Sequence, residues 1–81
     1  MALYFLSYDL RKARNYQPLY DALKAVNAVR VLESLWAFKL DGVTCAQLRD
    51  HFKQFIDKDD GLCVDQSVDW ATYNALATPP Q

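Results

Sequence analysis

A single histidine and two cysteines are the chain's whole supply of imidazole and thiol. Cys45 and Cys63 stand eighteen positions apart with no CxxC pair, so no zinc or dithiol redox motif can be assembled. Both are expected in the core, where a free cysteine acts as a small hydrophobe. Charge of one sign is also scarce. A net charge of -1 excludes a general nucleic-acid coat, which needs a large basic excess, and leaves room only for a local basic patch. No charged segment precedes the first apolar run, and Asp9 and Arg11 interrupt it early. That run is therefore read as neither a signal peptide nor a membrane span, and the expectation is a cytoplasmic protein with no membrane partner. Internal repeats and low-complexity segments are absent as well.

What remains is an apolar, aromatic chain of 81 residues, 52% hydrophobic and 14% aromatic, which is too rich to stay disordered. The length suits one domain. A core of this size supplies only roughly 3–5 kcal/mol of net stability, so further burial in a homodimer is expected.

The first element is the most informative. Seven of the nine residues from Ala2 to Leu10 are hydrophobic, which predicts a buried central strand with Asp9 at its mouth. The basic loop Arg11-Lys12-Ala13-Arg14-Asn15 follows directly. Asn15 is a plausible N-cap, Pro18 is tolerated in a first turn, and Leu19, Ala22, Leu23 and Val26 recur at helical spacing, so a helix is predicted to end near Asn27. The stretch from Val29 to Leu40 is rich in β-branched and aromatic residues but too long for one strand of a small domain. It splits into two strands with a turn near Glu33 and Ser34. Asp41-Gly42 is a turn signal. Thr44 and Gln47 form a capping box ahead of an apolar stripe, Leu48, Phe52 and Phe55, so a second helix follows. Asp57-Lys58-Asp59-Asp60-Gly61 ends it, and a strand from Leu62 toward Val68 comes next. Trp70 to Tyr73 is a candidate extra strand.

This order predicts an α+β, ferredoxin-like βαββαβ fold with two helices on one face of an antiparallel sheet. Residues 1–76 form the single domain and residues 77–81 a mobile C-terminal tail.

Three short segments carry a family resemblance. Tyr8-Asp9-Leu10 closing the first strand is similar to the signature of the small CRISPR-associated endoribonucleases, the smaller partner of the spacer integrase. The segment from Val29 to Trp36 resembles that family's apolar strand, serine, apolar residue and aromatic. Asp60-Gly61-Leu62-Cys63-Val64 looks like the start of its final strand. The VapD-type ribonuclease toxins share the fold and the early aspartate. The chain departs from the pattern at Leu32, where the family often has glutamine, and in its slightly acidic charge. The resemblance implies a homodimer in which the two Asp9 carboxylates face each other and share a divalent metal for phosphodiester cleavage. It equally implies a setting in phage defence, counter-defence or a toxin–antitoxin system, with RNA, DNA or a protein of that system as partner.

Asp9 is thus the candidate catalytic residue and metal ligand. Mg²⁺, the cofactor such a nuclease requires, takes hard oxygen ligands, commonly one or two carboxylates with water and phosphate. The alternative is that Asp9 caps the next turn or pairs with Arg11 or Arg14. Tyr8 and Ser34 are weaker catalytic candidates, able to orient a phosphate or simply to pack. Ser7, on the face of the strand opposite Tyr8, has the same two roles open to it. Arg11, Lys12, Arg14 and Arg30 are the candidate nucleic-acid contacts, since an arginine fork matches phosphate geometry; a solvated loop is the alternative. Tyr16 and Tyr20 could stack on bases or cover the core. His51 beside Asp50 is read as a surface histidine away from Asp9. The acidic run at 57–60 lacks the alternating oxygen ligands of a calcium loop and is read as a helix-ending turn. Trp36, Phe38 and Trp70 are read as core or interface aromatics. Two functions from different classes follow: a non-catalytic dimeric nucleic-acid-binding or interaction module, and a Mg²⁺-dependent endonuclease acting through paired Asp9 carboxylates.

Overall fold

Alternation along the first strand decides the architecture. In the computed structural model, which describes residues 1–12 and 15–81, β1 spans Ala2–Asp9, and Tyr4 and Leu6 are buried on one of its faces. The chain continues through α1 (Gln17–Ala25), β2 (Val29–Leu32), β3 (Leu35–Leu40) and α2 (Cys45–Phe52) to β4 (Gly61–Ser67). The four strands make one antiparallel sheet in the order β2-β3-β1-β4. The molecule is therefore α+β, with two helices and a four-stranded antiparallel sheet, compatible with a ferredoxin-like fold.

Both helices bury their apolar stripes on the same face of that sheet. Leu19 and Leu23 of α1 and Leu48 and Phe52 of α2 join Tyr4, Leu6, Trp36 and Phe38 in one core cluster. Tyr4 and Phe38 face each other across β1 and β3, with rings stacked 5.9 Å apart. The Tyr4 hydroxyl, carried into the core by this packing, donates to the Val43 carbonyl at 2.7 Å and so stays satisfied.

Local signals set the helix ends. Asn15 accepts the Gln17 N–H on its side chain at 3.0 Å, although Tyr16 holds the N-cap position. At the other end Asn27 adopts φ 58°, while the N–H groups of Asn27 and Ala28 return to the Lys24 and Leu23 carbonyls. This is a Schellman closure with asparagine in the left-handed position. The capping box of α2 forms in full, Gln47 N–H to Thr44 Oγ1 at 3.1 Å and Thr44 N–H to Gln47 Oε1 at 2.9 Å. α2 is shorter than its stripe suggests, and Phe55 lies in a 3₁₀ turn, Lys53–Phe55.

The predicted split of the long apolar segment is correct, with Glu33 and Ser34 turning the chain between β2 and β3. Two other expectations need correcting. Residues 70–73 are not a strand: β4 ends at Ser67, whose hydroxyl donates to the Asp69 carbonyl, and Val68 points into solvent. The segment instead crosses the second face of the sheet, where Ala71, Thr72 and Tyr73 line a cleft with Phe5, Val31 and Leu35. The Leu76 N–H donates to the Val31 carbonyl at 2.8 Å, and Pro79 in the C-terminal tail is fully buried. Of the two cysteines expected in the core, Cys45 packs against its margin and Cys63 lies outside it. Cys63 is exposed and Cys45 half-buried, because β4 is an edge strand and Cys63, paired with Ser7, faces away from the helices.

Candidate functional site at the mouth of the first strand

The carboxylate that closes β1 reaches the surface between two clefts. One is lined by Ser7, Tyr8, Asp9, Arg11, Gly61, Leu62 and Cys63. The other, of about 340 Å³, is lined by Tyr8, Asp9, Leu10, Tyr20, Arg30, Glu33 and Ser34. The sheet thus gathers Tyr8, Asp9, Arg11, Arg30 and Ser34 at one end, as the sequence suggests. Lys12 sits just behind, and Arg14 lies outside the described residues.

Asp9 is exposed, and Arg11 Nε donates to its Oδ2 at 3.0 Å. Arg11 is itself anchored on the far side of the cleft. Its Nη1 donates to the Asp59 carbonyl at 3.1 Å and its backbone N–H to Asp60 Oδ1 at 2.9 Å. Gly61 leaves room for this, since a Cβ there would lie 3.2 Å from Arg11 Nη2. Lys12 Nζ pairs with Asp59 Oδ2 at 2.7 Å. Arg11 and Lys12 are therefore fastened to the acidic turn before β4, and both cations have carboxylate partners. Tyr16 belongs to the same clasp, with its buried hydroxyl against Asp60 and the Lys12 carbonyl. The acidic run that ends the second helical segment is thus a latch for Arg11, Lys12 and Tyr16.

On the other side Tyr8 is a hub. Its hydroxyl donates to the Glu33 carbonyl at 3.0 Å and accepts from Trp36 Nε1 at 3.1 Å and Arg30 Nη2 at 3.4 Å. Burial raises the Tyr8 pKa above the ordinary tyrosine value, against the opposing pull of the Trp36 hydrogen bond and the Arg30 charge. Arg30 donates twice more to the Glu33 carbonyl, from Nε at 3.0 Å and Nη2 at 2.6 Å. Its guanidinium carbon lies 5.2 Å over the Tyr20 ring and 5.5 Å over the Trp36 ring. Tyr20 in turn stacks on Trp36 at 6.1 Å, so both candidate stacking tyrosines serve the domain's own packing. Ser34 offers its carbonyl to the Tyr8 N–H at 3.2 Å.

His51 is exposed on α2, edge-on to Phe52 and Phe55, and lines neither cleft. Beside it Asp50 accepts a hydrogen bond from Arg49, which holds its carboxyl below the usual range. Among the described residues no group of three or more His, Cys, Asp or Glu side chains is placed to hold a metal ion. Among the described residues Asp9 and Glu33 are the carboxylate-bearing residues of this cleft, and magnesium would need its remaining oxygens from water, substrate or a second chain. No helix among the described residues is long and apolar enough to cross a membrane.

The participants missed in the sequence are Glu33, through its carbonyl, and the Trp36 indole N–H. A two-residue turn at 33–34 would pair Arg30 with Ala37 and turn it away from Tyr8. A bulge at Val31 shifts the register so that Arg30 pairs with Trp36, which places it on the helix side of the sheet. No protein-family model matches the chain, and no solved structure matches it.

Proposed function

We propose that the chain is a ferredoxin-like, dimeric, nucleic-acid-associated module related in kind to the small CRISPR-associated endoribonucleases and VapD-type proteins. It acts by binding nucleic acid or a protein of a phage-defence or toxin–antitoxin system, not by cleaving a phosphodiester. The observation that carries the non-catalytic reading is the 3.0 Å ion pair of Asp9 with Arg11, an arginine already tied to the Asp59 carbonyl. A metal at Asp9 would meet the Arg11 guanidinium already donating to its Oδ2. Support for a dimer comes from the exposed apolar side chains Leu32, Val68, Tyr73 and Leu76, and from β4 standing at the edge of the sheet.

One feature favours the nuclease alternative: Asp9 is exposed at 70% of its side chain, at the rim of two clefts, where a phosphate and Mg²⁺ could reach it. In that reading Asp9 from each protomer supplies the carboxylate, while Arg11, Lys12, Arg14 and Arg30 hold the strand. Incubating single-stranded RNA and duplex DNA with the protein, with and without Mg²⁺, separates the two. The module reading expects retained, salt-sensitive binding and intact substrate. Mg²⁺-dependent cleavage that vanishes in Asp9→Asn establishes the nuclease instead.

A further inference from the structure

We infer that the cleft between the end of β1 and the β2–β3 turn seats one nucleotide unit of a single strand, with its phosphodiester on Arg30. This rests on the nucleic-acid reading above and names the subsite and the charge state it selects. The bulge at Val31 turns Arg30 out of its regular register and toward Tyr8 and Trp36. Two aromatic rings and three hydrogen bonds then fix the guanidinium before any ligand arrives. Arg30 Nη1 has no hydrogen-bond partner among the described residues, and Arg30 lines the cleft. A planar donor held this way loses little freedom on meeting a phosphate oxygen.

Size and charge narrow the ligand. About 340 Å³ lies at the low end of small-molecule sites, enough for one unit of an unpaired strand and too little for a duplex. The ionised groups lining the cleft are Arg30, Asp9 and Glu33, with Arg11 balancing Asp9 from outside. Two carboxylates oppose a dianion, so a monoanionic diester suits the cleft better than a terminal or free phosphate. The same carboxylates, with the Ser34 hydroxyl, can accept from sugar hydroxyls and base amino groups, which inorganic phosphate lacks.

The test is fluorescence anisotropy with short fluorescein-labelled single-stranded RNA and DNA of one sequence, using native protein, Arg30→Lys and Glu33→Gln. Arg30→Lys keeps the charge and removes the fork, and should weaken binding about tenfold or more. Glu33→Gln leaves the backbone carbonyl that holds Arg30 and removes a repelling charge. It should tighten binding about two- to fivefold, a change that a purely structural Arg30 network would not produce. Inorganic phosphate should compete poorly. If Arg30→Lys misfolds by circular dichroism, Glu33→Gln decides the matter. Native protein that binds while both variants bind equally overturns the subsite and leaves the nucleic-acid reading standing. Native protein that binds neither strand overturns both.

Discussion

Arg11 Nε donates to Asp9 Oδ2 at 3.0 Å, two residues apart across the end of β1. The pair turns a strand-end carboxylate, the group on which metal-dependent phosphodiester chemistry would depend, into part of a charge-balanced clasp. The clasp extends through the Asp59 carbonyl and the Asp60 carboxylate to the start of β4. Exposed ion pairs of this kind contribute little to stability, so Asp9 can be altered without losing the fold.

Phe52 is fully buried, with its ring centroid 5.7 Å from that of Phe38, at the centre of the packing between α2 and the sheet. Phe52→Ala should lower unfolding stability by about 3–5 kcal/mol, through lost transfer energy and the cavity left behind. Chemical denaturation read by tryptophan fluorescence checks this. A midpoint that barely moves would mean that α2 does not dock where the core cluster puts it.

Burial raises the Tyr8 pKa, and the sign of the consequence is definite. The folded state resists ionising Tyr8, so its share of stability is complete below the ordinary tyrosine pKa of about 10 and is lost as pH rises past it. Tyr8→Phe should be less stable than native protein at neutral pH, because Trp36 Nε1 loses its acceptor. The gap between the two should narrow above about pH 10. Thermal melts at neutral and alkaline pH measure this, and parallel losses in both proteins would remove Tyr8 from the account.

The dimer is tested by multi-angle light scattering at micromolar concentration, where the expected mass is twice that of the chain. A monomer under those conditions contradicts the proposal. Removing residues 77–81 should leave the dimer in place but lower the melting temperature, because Pro79 is buried. A loss of dimer on that truncation would assign the tail to the interface.

The elements could be read because local signals agreed with global packing: the Thr44–Gln47 box, the Asn27 helix stop and the Glu33–Ser34 turn each act within a few residues. The same locality explains the failures. Trp70 to Tyr73 has strand-like composition, but strand formation needs a partner edge. The chain leaves β4 at Val68 and crosses the second face instead. Cys63 looks apolar, but its exposure follows from β4 being an edge strand, which is a property of the whole sheet. At the site, Asp9 and its cations were readable as neighbours in sequence. The Arg30–Tyr8–Trp36 network was not, because a single bulged residue, Val31, decides which face Arg30 takes. The carbonyl of Glu33 acts as a backbone acceptor, for which residue identity gives no signal.

The most direct test of the central claim is one gel-shift and cleavage series comparing native protein with Asp9→Asn on single-stranded RNA and duplex DNA, with and without Mg²⁺ and across salt concentrations. The account predicts that both proteins bind, that affinity falls steeply with salt as counterions are released, and that both leave the substrate intact. Cleavage by the native protein that requires Mg²⁺ and disappears in Asp9→Asn would contradict it.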